Sequence, residues 1–169
     1  LLKLDFAKAF DAIDWRSLRR IMEVCDFPSL WCDWMDSIFH SFMSAVVLNS
    51  VLGRWINCKK GLRLGDPLTP YLFLLVANVL QRMIKRDGGM HHPLIDDAPP
   101  LVLQYAGDTI VIMCAELDAV QRLKGILDDF VAATGLGINF HKITAASVHI
   151  PECELHKMVQ VLGCIVGSF

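Results

Sequence analysis

The segment from Tyr71 to Arg86 constrains this chain more than any other. Its first turns, Tyr-Leu-Phe-Leu-Leu-Val-Ala, are apolar nearly all round, and a helix without a polar face is a buried one. Thr69 is placed to cap it and Pro70 to occupy its first helical position. Asp87-Gly88-Gly89 stops it. The longest apolar stretch, Tyr71 to Val76 and on through Asn78 to Leu80, is too short for a membrane span, which needs ~20 residues. Hydrophobic residues nevertheless make up 54% of the chain, charged ones 20%, and the mean hydropathy is +0.43. That is apolar for a free-standing soluble domain. The expectation is a piece of a larger protein whose other parts cover apolar surface. The 169 residues form one domain with a real core. The chain opens inside an apolar run and ends at Gly167-Ser168-Phe169, with no initiator Met and no signal-peptide pattern, in keeping with an excised piece.

Around the buried helix the elements alternate. Leu1 to Leu4 reads as a buried strand ending at Asp5. Asp14 is placed to cap a helix with Leu18, Ile21, Met22 and Cys25 at helical spacing. Pro28 ends it, and Ser29 is placed to cap a Trp-rich helix that runs to about His40. Ala45 to Asn49 and Arg54 to Cys58 are short β-like runs and predict a hairpin around Gly53. A Gly/Pro-rich loop, Gly61 to Pro70, leads into the buried helix, and Met90 to Pro100 reads as a surface loop. Leu101 to Tyr105 and Thr109 to Cys114 are β-rich runs joined by Ala106-Gly107-Asp108, a hairpin signal. An amphipathic helix from Leu117 to Val131 closes at Thr134-Gly135. Ile138 to Phe140 and Ala145 to Ile150 read as strands, and Pro151 begins a last helix. This order predicts an α+β sandwich, an antiparallel sheet with helices packed on one face.

Charge narrows the function. Sixteen basic residues stand against 18 acidic ones, a net charge of −2. Nucleic-acid binders are usually basic, which counts against a large self-sufficient binding surface. It leaves room for a catalytic core that carries acids for metals while neighbouring domains hold the nucleic-acid backbone. The six cysteines have no CxxC spacing. Cys153 and His156 have the spacing of half a zinc site, but no second half is evident, so the cysteines read as buried, reduced thiols in an intracellular protein.

Phosphoryl transfer onto a 3′-hydroxyl is served by two metal ions, and magnesium wants carboxylates that converge from rigid supports. An acid at a strand end beside an acid at a hairpin tip meets that need. Asp5 supplies the first; the hairpin Gln104 to Thr109 supplies Asp108 alone. On spacing alone the signal is weak: an Asp at a strand end is more often a turn or helix cap, and Gly107-Asp108 at a hairpin tip is often only a turn.

Three blocks occurring in order add a resemblance. Leu4-Asp5-Phe6-Ala7-Lys8-Ala9-Phe10-Asp11, continuing through Asp14-Trp15, resembles the first palm motif of non-LTR reverse transcriptases. Gly61-Leu62-Arg63-Leu64-Gly65-Asp66-Pro67-Leu68-Thr69-Pro70-Tyr71-Leu72-Phe73 is similar to the family's second motif, GxRQGDPLSPxLF. Tyr105-Ala106-Gly107-Asp108 sits where the family has Tyr-Ala-Asp-Asp, and Gly135 to Lys142 resembles the segment that follows. The wording is closest to plant LINE elements. The resemblance implies a right-hand polymerase palm without its complete fingers, thumb and any endonuclease domain. It implies RNA-directed DNA synthesis on an RNA template and DNA primer from deoxynucleoside triphosphates, with two Mg²⁺ ions, in the nucleus and away from membranes. Asp5, Asp108 and the Phe6 carbonyl would hold metal. Phe10 would be the aromatic gate against a ribose 2′-hydroxyl, beside its ordinary reading as core. Gly65 would let backbone approach the nucleotide, and Lys142 would lie near the triphosphate or be a solvated surface lysine.

Two departures bear on activity. Leu64 replaces the motif's Gln, and Gly107 replaces the first hairpin Asp. Adjacent residues at a hairpin tip point in different directions, so Asp108 is expected to need a distorted turn to take over. The resemblance therefore implies an impaired polymerase. The competing readings are a decayed or co-opted fold that binds or does nothing, and a nucleotidyl cyclase, in which the Gly61 to Pro70 block would have no place.

Overall fold

In the computed structural model, residues 1–105, 107–147 and 150–167 are described. In chain order the elements are β1 (Leu2–Asp5), α1 (Ala9–Ala12), α2 (Trp15–Val24), α3 (Ser29–His40), the short strands β2 (Met43–Ser44), β3 (Val47–Leu48), β4 (Val51–Leu52) and β5 (Ile56–Asn57), then α4 (Thr69–Arg86). The hairpin β6 (Leu101–Tyr105) and β7 (Asp108–Ile112) follows, then α5 (Leu117–Thr134), a 3₁₀ turn (Phe140–Lys142), β8 (Thr144–Ala145), α6 (Glu152–Leu162) and β9 (Ile165–Val166).

Period-two alternation sorts the sheet into a dry and a wet face. Leu2 and Leu4 of β1 are buried while Lys3 and Asp5 are half-exposed. On β7, Thr109 and Val111 are buried and Asp108 is exposed. The main sheet has the order β6-β7-β1-β8-β9. β1 runs antiparallel to both β7 and β8, but β9 lies parallel to β8, so the sheet is mixed and not the antiparallel one expected. The cause is α6, which carries the chain back as a crossover, the connection that parallel strands require.

Helices α4 and α5 cover the dry face. Val76, Leu80 and Ile84 of α4 and Leu127 and Phe130 of α5 are fully buried, each stabilising the fold by roughly 1.5–3 kcal/mol. The Phe6 ring meets Phe73 of α4 edge-on at 6.2 Å and Phe130 of α5 at 6.1 Å, tying strand and helices together. Side-chain amides finish the join: Gln104 Nε2 donates to the Ala77 carbonyl at 3.0 Å and Gln81 Nε2 to the Val102 carbonyl at 3.3 Å. Among the described residues no helix is long and apolar enough to cross a membrane.

Several local expectations are corrected. Asp14 does cap α2, accepting from the Ser17 N–H at 2.9 Å. Ser29, however, is the first residue of α3 and Pro28 the cap. Thr69 is likewise inside α4; its hydroxyl turns back to the Arg63 carbonyl at 2.6 Å and closes the preceding loop. The hairpin after α3 turns at Asn49-Ser50, both at positive φ, with β3·β4 nested inside β2·β5. Gly53 sits on its flank, where its N–H reaches the Val46 carbonyl at 2.8 Å. Ile138 makes only an isolated bridge to Phe6, and Phe140 begins the 3₁₀ turn. Of the strand expected over Ala145 to Ile150, β8 ends at Ala145, and Val148 and His149 lie outside the described residues.

Candidate active site

The site is built on strand register. β1 and β7 are aligned so that Asp5 stands directly opposite Asp108, with Leu4 opposite Thr109. Both aspartates therefore lie on the wet face. Asp108 reaches that face through ordinary antiparallel pairing. Like charges placed opposite one another destabilise a sheet. Two lysines offset this: Lys3 Nζ lies 3.4 Å from Asp108 Oδ1, and Lys142 Nζ lies 3.9 Å from Asp5 Oδ2. Nothing in the sequence motifs singles out Lys3, yet it stands two residues before Asp5 and so shares its face. Lys142 is carried in by the 3₁₀ turn, which the Asn139 N–H anchors to the Asp5 carbonyl at 2.9 Å. Asp108 and Lys142 are 57% and 68% exposed, so each pair contributes about 1 kcal/mol or less and neutralises without locking.

The second block is fastened to the first. The Gly61 N–H donates to the Ile13 carbonyl at 2.8 Å, the Leu62 N–H to the Phe10 carbonyl at 2.7 Å, and buried Trp15 Nε1 to the Gly61 carbonyl at 2.7 Å. Gly61 has φ +91, and a Cβ there would lie 2.9 Å from the Asp11 carbonyl oxygen. Only glycine permits both the conformation and the approach. Beyond this clasp the loop is exposed. Leu64 is 69% exposed, and at Gly65, with φ +89, a Cβ would meet nothing within 4 Å. Asp66 shapes the loop by accepting from the Leu68 N–H at 2.9 Å.

The aromatic candidates face the core. Phe6 is buried between Phe73 and Phe130, so only its backbone remains for any contact at the site. Phe10, on α1, is half-buried with its ring 5.0 Å from that of Phe73. The structure thus brings Asp5, Asp108 and Lys142 together, places Phe10 against α4, and leaves Leu64 and Gly65 on the loop that the clasp tethers.

As a donor set for magnesium the site is sparse. It consists of two carboxylates, each already facing an ammonium group. Among the described residues no three His, Cys, Asp or Glu side chains are grouped to hold a metal ion. Magnesium is usually held by one or two carboxylates together with waters and substrate phosphates, so the chemistry of the pair fits one ion shared with a nucleotide and leaves few protein oxygens for a second. At Gly107, next to the pair, a Cβ would meet nothing within 4 Å and φ lies outside the left-handed region. Among the described residues the cysteines do not form a site. Cys25 and Cys153 are exposed, against the expectation of uniformly buried thiols, while Cys32 and Cys164 are buried and burial pushes the Cys164 thiol pKa up. His156 Nδ1 is turned to the Glu152 carbonyl at 2.7 Å.

Comparison with known proteins adds an independent line. A family model described as "Reverse transcriptase (RNA-dependent DNA polymerase)" matches residues 1–166. The chain is 29% identical over 86 residues, 51% of its length, to a retrovirus-related Pol polyprotein from type-1 retrotransposable element R2 of Nasonia vitripennis. It is 22% identical over 168 residues, 99% of its length, to the Pol polyprotein from type-2 retrotransposable element R2DM of Drosophila melanogaster. It is 25% identical over 142 residues, 83% of its length, to the transposon TX1 uncharacterized 149 kDa protein of Xenopus laevis. The matches span 8%, 16% and 11% of those relatives' own lengths.

Proposed function

Because the chain belongs to the reverse transcriptase (RNA-dependent DNA polymerase) family, we propose that it is the palm core of a LINE-type non-LTR retrotransposon polymerase whose own active site is impaired. The observation that carries this reading is the register of Asp5 opposite Asp108 on the wet face, beside Gly107. An acid pair on rigid adjacent strands is the support that deoxynucleotide transfer to a primer 3′-hydroxyl requires. Asp5 and Asp108 are its carboxylates. Phe10 and Gly65 flank the nucleotide, Phe10 from the α4 side and Gly65 from the tethered loop. Lys142, already facing Asp5, supplies positive charge for phosphate. RNA template, DNA primer, deoxynucleoside triphosphates and magnesium complete the reading, with fingers and thumb from the rest of the polyprotein.

Impairment follows from the donor count. Gly107 removes a carboxylate from the tip, and Leu64 removes an amide from the loop, so metal positioning and nucleotide contact weaken together. A second reading, a fold that no longer catalyses, is favoured by the two lysine ammonium groups that already balance the acids.

Primer extension on an RNA template, with this chain joined to fingers and thumb segments of a related element, separates the readings. Little synthesis is expected from the natural sequence, and more from Gly107→Asp and from Gly107→Asp/Leu64→Gln. Robust magnesium-dependent synthesis by the natural sequence would refute the impairment. No synthesis by the double variant would favour the non-catalytic fold.

A further inference from the structure

A groove of about 650 Å³ runs between α2 and α4 on the helical layer, on elements other than the strands that carry Asp5 and Asp108. Four exposed arginines rim it: Arg16 and Arg20 on α2, Arg82 and Arg86 on α4. Each pair is spaced i,i+4, so each helix lays a rail of two guanidinium groups one turn apart along its edge. No Asp or Glu lines the groove. Among the described residues none of the four arginines is in an ion pair, whereas neighbouring Arg19 on the same helix is held by Glu23, Asp33 and Asp36. In a chain of net charge −2 this concentration of unpaired positive charge is local to the groove. The floor is apolar, formed by Ile21 of α2 and by Leu75, Val79 and Met83 of α4, and Val24 at the rim is 74% exposed.

We propose that this groove docks an acidic amphipathic helix from a protein partner, with leucine-type side chains on the floor and carboxylates along both rims. Charge complementarity selects the partner's sign, because arginine rails on both sides of a trough without acids attract carboxylates. The floor selects its class. A phosphate backbone gives an apolar trough nothing to bury, whereas a helix with apolar residues at i, i+3, i+4 and i+7 fills one by burying its stripe. Arginine suits the rim because its planar fork takes both oxygens of one carboxylate at once and its stem adds apolar contact.

The test uses the full chain and a labelled amphipathic peptide of about 18 residues, long enough to hold a helix, with a leucine stripe flanked by glutamates, read by fluorescence anisotropy. The expectation is saturable binding that weakens roughly ten-fold in Arg16→Glu/Arg82→Glu, one reversal on each rail. A peptide with lysine in place of glutamate should prefer that variant, a rescue that loss of folding cannot imitate. Met83→Asp should abolish binding of the acidic peptide. The proposal is overturned if the natural chain and the double reversal bind the acidic peptide alike. It is equally overturned if the chain prefers an RNA duplex whose affinity Met83→Asp leaves unchanged, since the groove would then be a phosphate track.

Discussion

In the proposed reading, the side chain missing at Gly107 is what weakens the cation site. The position has open space around it and an ordinary backbone conformation, so Gly107→Asp meets no steric obstacle. Its cost is electrostatic. A third carboxylate beside Asp5 and Asp108 adds like-charge repulsion on the order of 1 kcal/mol, which lowers the melting temperature by roughly 2–4 °C in a chain of this size. Magnesium should reverse that loss in the variant and leave the natural chain unmoved, because a ligand stabilises only the fold that binds it. Thermal melts with and without magnesium check this; equal responses from both chains would show that position 107 does not complete a metal site. Asp5 was legible in the sequence as a strand-end acid. Its alignment with Asp108 was not, because register depends on how two strands far apart in the chain slide past each other. Lys3 was missed for the same reason: a lysine gains meaning only once its strand neighbour across the sheet is known.

Between elements, the clasp joining the loop after Gly61 to the turn after Phe10 makes contrasting demands on two glycines. At Gly61 a methyl group meets both an unfavourable φ and the Asp11 carbonyl, while at Gly65 it meets the φ alone. Gly65→Ala should therefore cost about 1–2 kcal/mol, and Gly61→Ala clearly more, about 3 kcal/mol or above. Urea unfolding midpoints check the order; equal losses would show that the clasp is looser than its distances state. The long elements were legible in the sequence because α2 and α5 advertise their buried stripes over many residues, α4 its apolar run, and the hairpin β6–β7 its two β-rich runs around a Gly-containing turn. The short ones were not. Gly53 drew the expected turn to itself, yet Asn49-Ser50 makes it, because two consecutive residues at positive φ suit the twist of a tight hairpin. Thr69 looked like a cap and serves as a loop latch instead. β9 joined the sheet in parallel because α6 returns the chain to its edge, a tertiary event without a local signature.

For the whole molecule, the apolar composition is explained partly by the core and partly by surface left bare. On the nested hairpin, Val46, Val47, Leu48, Val51, Leu52, Trp55 and Ile56 are each more than half exposed. Exposed apolar strands with open edges invite pairing with another chain. The chain alone should self-associate as its concentration rises, and Val47→Lys/Leu52→Lys, one lysine on each inner strand, should hold it monomeric at the same concentration. Light scattering decides; a natural chain that stays monomeric would show that the hairpin is harmless in water.

Gly107 also bears on the history of the sequence. Every glycine codon becomes an acidic one, aspartate or glutamate, when its middle base changes from G to A. The fold offers no steric obstacle to the result. If Gly107 is the lesion proposed above, a carboxylate at this position is a single transition away and needs no rebuilding of the protein around it.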